Sequence, residues 1–287
     1  MIEVTKKLIK NIYKKRSPDI HKYDYGLLLV IGGSKFYSGS PALSALAAFR
    51  AGVDMIQIIA PKRAADIAAS FSPNLAAYPL EGDYLSKDHL STLIAMTKSA
   101  EVVSHKKTAV VIGGGAGRSQ ETKEVIREYL SQISVPAVID ADAIHAVAES
   151  VDLLSGKPFL ITPHSYEFFL LSQKKIKDMS LKEKIKIVSE VAQKLGTTIL
   201  LKGRTDIISN GNETAINKTG NPYLSVGGTG DTLAGICGAI MAQGFDPFVS
   251  AQAGAFINGK AGEIAAKQKK ESVLATDLIE AIPEVIH

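Results

Sequence analysis

Short apolar runs alternate with amphipathic stretches along most of this chain. The continuous apolar run Leu27–Ile31 is typical of a strand that is buried on both faces of a sheet. Comparable runs predict further strands at Asp54–Ala60, Ala109–Ile112, Pro136–Ile139, Pro158–Ile161 and Thr197–Leu201. Apolar residues at three- and four-residue steps predict a helix over Leu181–Leu195, between a Ser180/Glu183 capping box and a terminating Gly196.

A second helix follows the first strand. Ser40 is predicted as its N-cap, with Pro41 in the first turn. The helix then runs through Ala42–Arg50 and stops at Gly52.

The last third of the chain changes pattern. Asn210-Gly211 predicts a hairpin between strands at Asp206–Ser209 and Thr214–Asn217. Two helices are predicted near Asp231–Gln243 and Pro247–Lys267.

Repeated strand–helix alternation predicts an α/β fold with a mainly parallel sheet, helices on both of its faces and a late β-hairpin. No repeat or linker divides the chain, so we expect a single domain over residues 1–287. The first 20 or so residues are interpreted as a basic helix or arm that either packs on the outside of this domain or contacts another subunit.

Composition narrows the class of protein. Hydrophobic residues make up 46% and charged residues 22% of the 287 residues, which suits a globular domain with a large core. The net charge of +4 is mild, and no basic stripe is interleaved with aromatic residues, so nucleic acid is not a predicted partner. Cys237 is the single cysteine, no Cys/His cluster has zinc spacing, and no signal peptide or membrane span is evident. A cytoplasmic protein without a membrane partner is therefore expected.

Glycines and polar residues follow the predicted strands. These segments are Gly32–Ser34, Gly113–Gly117, Asp140/Asp142, His164–Glu167, Lys202-Gly203 and Gly227–Asp231. Ligands of open α/β sheets bind at the carboxyl ends of the strands, so we expect one cleft there. The common nucleotide and hydrolase motifs are absent: there is no P-loop, Arg118 replaces the last glycine of a dinucleotide fingerprint, and no G-x-S-x-G occurs.

Gly227-Gly228-Thr229-Gly230-Asp231 combines a flexible backbone with one acid just before a small-residue helix. Amide groups at a helix start attract anions, and an adjacent aspartate suits a base that activates a hydroxyl group for phosphoryl transfer. The alternative interpretation is an aspartate that caps the helix.

The segment from Asn221 to Gly235, which contains this loop, resembles the G-G-T-G-D signature of the ribokinase-like superfamily. More narrowly, the chain resembles the NAD(P)H-hydrate dehydratases, which repair hydrated nicotinamide cofactors. The segments that carry this resemblance are His21–Gly26, Gly32–Ser34, Tyr37–Gly52, Asp140–Ala143 and Thr162–His164. The resemblance implies a ribokinase-like three-layer sandwich.

The chain departs from the family pattern at several positions in the expected substrate pocket. His164-Ser165-Tyr166-Glu167-Phe168 stands where His-Pro-Gly-Glu-Phe is common, Ser40 where Ala is usual, and Gly115-Ala116-Gly117 where Gly-Leu-Gly is common. Many relatives also carry an N-terminal epimerase domain, so the epimerase is expected to be separate or absent.

The resemblance implies roles for individual residues. Asp231 would be the catalytic base and would contact substrate. The nucleotide would be ADP or ATP, with Mg²⁺. The implied nucleotide-binding residues are Lys202, Gly203, Arg204, Thr205, Asp206, Gly227, Gly228, Thr229 and Gly230. The alternative for Lys202–Asp206 is a polar turn.

The implied substrate-binding residues are Ala42, Gly115, Gly117, His164 and Glu167. The alternatives are packing for the three small residues and a structural histidine for His164. Glu167 would contact the substrate or magnesium. Asp140 or Asp142 would hold a magnesium-bound water or cap a helix. The metal ligands stay undefined, and Cys237 is assigned to helix packing.

The expected function is nucleotide-dependent dehydration of (6S)-NADHX and (6S)-NADPHX, by phosphorylation of the hydrate hydroxyl and elimination of phosphate. The alternatives are a kinase of the same superfamily, of the hydroxyethylthiazole or hydroxymethylpyrimidine type, and a nucleotide-binding regulator without catalysis. Relatives suggest a homo-oligomer.

Overall fold

A ten-stranded sheet forms the centre of the computed structural model, which describes residues 1–287. Its strands are β1 (Ile2–Glu3), β2 (Leu27–Ile31), β3 (Met55–Pro61), β4 (Ala76–Leu80), β5 (Thr108–Ile112), β6 (Ala137–Ile139), β7 (Phe159–Ile161), β8 (Thr198–Leu201), β9 (Asp206–Ser209) and β10 (Thr214–Asn217). The order across the sheet is β1-β10-β9-β8-β7-β6-β5-β2-β3-β4. The strands from β8 to β4 are parallel, whereas β9 is antiparallel to both of its neighbours.

Eleven α-helices cover both faces of the sheet. They are α1 (Lys6–Ile12), α2 (Gly39–Arg50), α3 (Lys62–Ser70), α4 (Leu90–Val103), α5 (Gln120–Gln132), α6 (Asp142–Val147), α7 (Ser165–Ser172), α8 (Leu181–Leu195), α9 (Thr229–Ala242), α10 (Pro247–Lys269) and α11 (Ala275–Ile286). None of them is long and apolar enough to cross a membrane.

Alternation along each strand divides the core into two layers. In β2, Leu28 and Val30 belong to the cluster that contains α2, α9, α10 and α11. Leu27, Leu29 and Ile31 belong to the other cluster, with residues of α5, α6 and α8. Successive side chains of a strand point to opposite faces, so these uninterrupted apolar strands produce the predicted three-layer sandwich.

The predicted strands are found within one or two residues of their expected bounds, and the hairpin at Asn210-Gly211 is confirmed. Strand β4 was not predicted. It lies at the edge of the sheet and contains Pro79, a residue that lacks the amide donor of a central strand.

The N-terminal segment packs on the chain itself. β1 adds to β10 in parallel, and Ile9 and Ile12 of α1 are buried. The hydroxyl of Tyr13 donates to the carbonyl oxygen of Ala51 at 3.0 Å, which ties the segment to the end of α2.

The prediction that Ser40 caps α2 is wrong. The helix begins at Gly39, and Ser38 precedes it. The Ser40 hydroxyl instead donates to the carboxylate of Asp231, so a tertiary contact replaces the local capping bond.

The chain reverses its direction across the sheet at β2. From β2 it proceeds to β3 and β4, and then returns through α4 to β5 on the other side of β2. Such a reversal leaves a crevice at the carboxyl ends of the two central strands. The loops that follow β2 and β5 meet there, since the Gly33 amide donates to the carbonyl oxygen of Gly114 at 2.8 Å.

Candidate functional site

The N-terminus of α9 opens onto this edge of the sheet. Gly228 precedes the helix with a φ of 96°, and a Cβ at this position would lie 2.7 Å from Cδ1 of Leu43 and 2.9 Å from Cβ of Ala275. Only glycine combines this backbone conformation with such close packing. No side chain caps the first turn, so its amide groups remain available to an anion.

Asp231 is the third residue of α9 and projects toward the crevice between β2 and β5. A Cβ built on Gly114 would lie 2.7 Å from Oδ1 of Asp231, so the glycine loop after β5 makes room for this carboxylate. Its carboxylate accepts a hydrogen bond from Ser40. The interpretation of Asp231 as an N-cap is wrong, because the helix begins two residues earlier and its carboxylate bonds to α2.

The environment of Asp231 suits a proton acceptor. Burial raises the pKa of Asp231 to about 7, although the hydrogen bond from Ser40 opposes this rise. A carboxylate with a pKa near neutrality is ionised often enough to accept a proton and basic enough to hold it.

Lys202 brings a cation to the start of α9. Its Nζ lies 2.8 Å from Oδ1 of Asp140, which also accepts a hydrogen bond from Thr162 at 2.7 Å. Burial lowers the pKa of Lys202, but the carboxylates of Asp140 and Glu167 outweigh this effect and leave it raised. A Cβ built on Gly230 would lie 3.7 Å from Nζ, so the ammonium group lies close to the first turn of α9.

A cavity of about 720 Å³ extends from Lys202 and the start of α9. It brings together six of the predicted nucleotide-binding residues, namely Lys202, Gly203, Arg204, Asp206, Thr229 and Gly230. Thr205, Gly227 and Gly228 do not line it.

The opposite wall of this cavity was not predicted from the sequence. That wall includes Lys218, Thr219 and Gly220 of the loop after β10, and Asn258 and Gly259 of α10. The amide of Asn258 is oriented by two contacts to α9: it accepts from Thr232 Oγ1 at 2.7 Å and donates to the Thr229 carbonyl at 3.3 Å. A small-residue helix gives no local signal for such a role.

The turn from Lys202 to Asp206 has its own internal support. Asp206 accepts hydrogen bonds from the amide of Gly203 and from the side chain of Asn217, each at 3.0 Å. Burial raises the pKa of Asp206 to about 6. Asp206 therefore supports the turn internally and also lines the cavity, as Lys202 and Arg204 do.

His164 and Glu167 form the capping box of α7. His164 Nδ1 accepts from the amides of Tyr166 and Glu167, and Oε2 of Glu167 accepts from the His164 amide at 2.8 Å. Glu167 is buried, and this burial raises its pKa. The ring of His164 is half exposed, so the structural role of the pair leaves it accessible to a ligand.

The other predicted substrate residues differ in exposure. Gly115 and Gly117 have φ values of 65° and 89° and lie partly exposed in the loop after β5. Ala42 is buried in the core that α2 shares with α9. Substrate binding by these residues stays a prediction.

The two aspartates after β6 do not cap α6, whose first turn has no side-chain cap. Asp142 accepts from the amide of Gly117 at 2.9 Å and from Nε of Arg118 at 2.6 Å, so it braces the glycine loop. No group of three or more His, Cys, Asp or Glu side chains is placed to hold a metal ion. A magnesium ion here would need phosphate oxygens as further ligands.

Known proteins of one family are similar to this chain in sequence. A sequence model of the family described as NAD(P)H-hydrate dehydratase matches residues 28–284. A bifunctional NAD(P)H-hydrate repair enzyme of Pyrobaculum aerophilum is 42% identical over 94% of this chain and 52% of its own length. An ADP-dependent (S)-NAD(P)H-hydrate dehydratase of Nitrosopumilus maritimus is 34% identical over 99% of this chain and 96% of its own.

The chain spans about half the length of the bifunctional relatives that it matches. Among solved structures, this chain superimposes on an ADP/ATP-dependent NAD(P)H-hydrate dehydratase of Bacillus subtilis that was co-crystallized with ATP/Mg²⁺. The TM-score is 0.79 at 22% sequence identity, and the superposition covers 99% of this chain and 97% of that one. This likeness, which extends to a ribokinase, confirms the predicted ribokinase-like fold. Since the family match includes the crevice, the turn after β8 and the start of α9, the chain belongs to the NAD(P)H-hydrate dehydratase family.

Proposed function

We propose that this protein dehydrates (6S)-NADHX and (6S)-NADPHX to NADH and NADPH with ADP or ATP as the phosphoryl donor. One observation carries the proposal: the Asp231 carboxylate lies between the crevice at β2 and β5 and an uncapped helix start that opens to a 720 Å³ cavity. A base and a phosphate site are thereby adjacent, as phosphoryl transfer to a hydroxyl group requires.

The reaction starts with the hydroxyl group that water has added to the nicotinamide ring. Asp231 accepts the proton of this hydroxyl, and the oxygen attacks the terminal phosphorus of the nucleotide. The bond from that phosphorus to the bridging oxygen breaks, which releases AMP from ADP or ADP from ATP. The amides at the start of α9 and the ammonium of Lys202 stabilise charge on the transferred phosphoryl group.

Phosphate is a better leaving group than hydroxide, so the second step is elimination. The ring nitrogen supplies electron density, the carbon–oxygen bond breaks and phosphate departs. Loss of the neighbouring ring proton then restores the dihydropyridine. The phosphorylated hydrate is thus an intermediate, whereas a kinase of this fold would release a stable phosphoester.

The nucleotide would occupy the cavity beside Lys202, Gly203, Arg204, Thr229 and Gly230. The relative from Nitrosopumilus maritimus is named ADP-dependent, and the Bacillus subtilis structure was co-crystallized with ATP/Mg²⁺. Both names support a purine nucleotide as the donor here. Gly227, Gly228 and Thr205 would act through the shape of their loops, because they do not line the cavity.

The donor set next to this cavity fits magnesium. Asp140 uses Oδ1 for Lys202 and Thr162, which leaves Oδ2 free, and a Cβ on Gly230 would lie 3.8 Å from that oxygen. Mg²⁺ in phosphoryl-transfer sites is commonly held by one or two carboxylates together with phosphate oxygens. Asp140 would hold the ion together with phosphate oxygens of the nucleotide, and the bound ion would neutralise charge on those phosphates.

The substrate would lie over the crevice, against Gly115, Gly117 and His164. Ala42 would contribute through the packing of α2, and Glu167 through its support of His164 and its charge beside Lys202. Cytoplasmic localisation, homo-oligomer formation and an NAD(P)HX epimerase as a functional partner belong to the same proposal. The bifunctional relatives support the association with a further repair activity.

Product analysis tests the function. The protein is mixed with NADHX, Mg²⁺ and either ADP or ATP, and the absorbance of the reduced nicotinamide and the release of inorganic phosphate are followed. Equal amounts of NADH and phosphate are expected. A stable phosphoester would indicate a kinase, and nucleotide binding without turnover of any hydrate would indicate a regulator; either result contradicts the proposal.

A further inference from the structure

A large aromatic side chain stands exposed at the carboxyl edge of the sheet, next to His164. Tyr166, in the first turn of α7, has 60% of its surface exposed. Its ring centroid lies 6.5 Å from that of His164 at an interplanar angle of 29°, and 6.4 Å from that of His145. The ring therefore lies near two imidazoles while most of its surface faces solvent.

His145 supports this ring as a neutral aromatic group. Burial lowers the pKa of His145, and the positive charge of Arg118 lowers it further, while Asp142 opposes them. Arg118 thus supplies a permanent positive charge close to His145.

The guanidinium group of Arg118 has hydrogen-bond donors without a partner in the chain. Its side chain is 60% exposed and follows the glycine loop after β5. Nε donates to Asp142 at 2.6 Å, whereas the two terminal nitrogens make no hydrogen bond within the chain. A guanidinium group that is oriented by one carboxylate and open at its other edge suits a phosphate group.

These groups lie on the other face of the sheet from the nucleotide cavity. Helices α9 and α10, which line the cavity, pack in one layer of the core, whereas α5, α6 and α7 pack in the other. The cavity is next to β8, β9 and β10, whereas Arg118, His145 and Tyr166 follow β5, β6 and β7. Neighbouring strands are about 4.8 Å apart, so the segments after β5 and β7 are separated by about 10 Å. An extended dinucleotide is long enough to reach from the crevice across this distance.

We propose that Tyr166 stacks on the adenine of the dinucleotide substrate and that Arg118 binds one of its phosphates. Together with His145 they form an aromatic–basic subsite, which selects a hydrated dinucleotide over a hydrated mononucleotide. This inference rests on the proposed function.

A truncated substrate tests the stacking. KM is measured for NADHX and for the hydrate of reduced nicotinamide mononucleotide, which lacks the adenosine half. Tyr166→Leu should raise KM for NADHX about tenfold, the effect expected from loss of base stacking, and leave KM for the mononucleotide hydrate unchanged. Tyr166→Phe, which keeps the ring, should retain the KM of the unaltered protein.

Tyr78→Leu is the matched control, because Tyr78 is also exposed but lies on the edge strand β4. It should change neither KM. An equal effect of Tyr166→Leu on both substrates, or no effect on either, would overturn the role of Tyr166.

The second variant, Arg118→Gln, identifies the phosphate. A higher KM for both NADHX and NADPHX would place the guanidinium on the diphosphate that they share. A higher KM for NADPHX alone would place it on the 2′-phosphate. If neither KM changes, Arg118 is not part of a phosphate site.

Binding without turnover separates this inference from the proposed function. Calorimetric titration of the protein with NADPH and with reduced nicotinamide mononucleotide needs no catalysis. If the protein dehydrates no hydrate but Tyr166→Leu still weakens NADPH selectively, the function fails and the subsite stands. If dehydration proceeds and neither variant discriminates between the ligands, the subsite fails alone.

Discussion

Ser40→Ala should move the pH profile of the enzyme without removing its base. In the structure, the Ser40 hydroxyl donates to the carboxylate of Asp231, and this bond lowers a pKa that burial has raised to about 7. A hydrogen bond to the ionised form favours that form. Its removal must therefore raise the pKa of Asp231 further.

The size of the shift follows from the strength of the bond. A hydrogen bond to a charged group contributes about 1.5–3 kcal/mol, and one pKa unit corresponds to about 1.36 kcal/mol. Because partial exposure of Asp231 reduces the effect, we expect its pKa to rise by about one unit. At pH 7 the ionised fraction would fall from about one half to about one tenth, and kcat/KM would fall about fivefold. Activity should recover in full once the pH is two units higher.

The assay is kcat/KM for NADHX as a function of pH, with saturating nucleotide and with NADH absorbance as the readout. Ser44→Ala is the control, because the Ser44 hydroxyl donates to the backbone carbonyl oxygen of Asp231 at 3.0 Å and not to its carboxylate. An unshifted profile in Ser40→Ala, or the same shift in both variants, would refute the assignment of the acidic limb to Asp231.

Three further predictions concern binding and stability. Asp231→Asn should abolish dehydration and yet stabilise the fold by about 2 kcal/mol above pH 7. A carboxyl group whose folded pKa lies above its unfolded value costs stability as the pH rises from about 4 through about 7. Thermal unfolding at pH 4 and pH 8 checks the sign, and equal gains in Tm at both pH values would contradict it. Lys202→Met should weaken ADP binding about tenfold to a hundredfold, because the variant loses a buried charged donor. Calorimetry measures the affinity, and an unchanged affinity would exclude Lys202 from the nucleotide site. Gly228→Ala should lower the free energy of unfolding by about 1–3 kcal/mol, because Gly228 has a φ of 96° and packs against α11. Gly227 has open space around it, so Gly227→Ala should change the free energy of unfolding by no more than about 0.5 kcal/mol. A denaturant titration measures both values, and equal effects would contradict the close packing at Gly228.

Much of the fold follows from local patterns. The apolar runs of the central strands and the hairpin at Asn210-Gly211 predict their elements within one or two residues. Strand β4 escaped prediction because an edge strand with Pro79 lacks the continuous apolar run of its neighbours. The helix starts at Ser40 and Asp231 were misplaced because both side chains bond to each other and not to their own helices.

The cavity beside the start of α9 was predicted only in part. Lys202, Gly203 and the start of α9 were predicted from glycines and charges that follow a strand, together with the family resemblance. Asn258 was not, because its contribution depends on hydrogen bonds to Thr229 and Thr232, which lie more than 25 residues away in the chain.

By itself, the sequence determined the central strands and the hairpin, a mainly parallel sheet with helices on both faces, and the segments that end at one edge of the sheet. These depend on periodicity and turn chemistry, which are local. Only the tertiary structure decided that the Asp231 carboxylate meets Ser40 beside Gly114, and that Tyr166 stands exposed beside His145. Burial, and with it the raised pKa of Asp231, depends on groups brought together from distant parts of the chain.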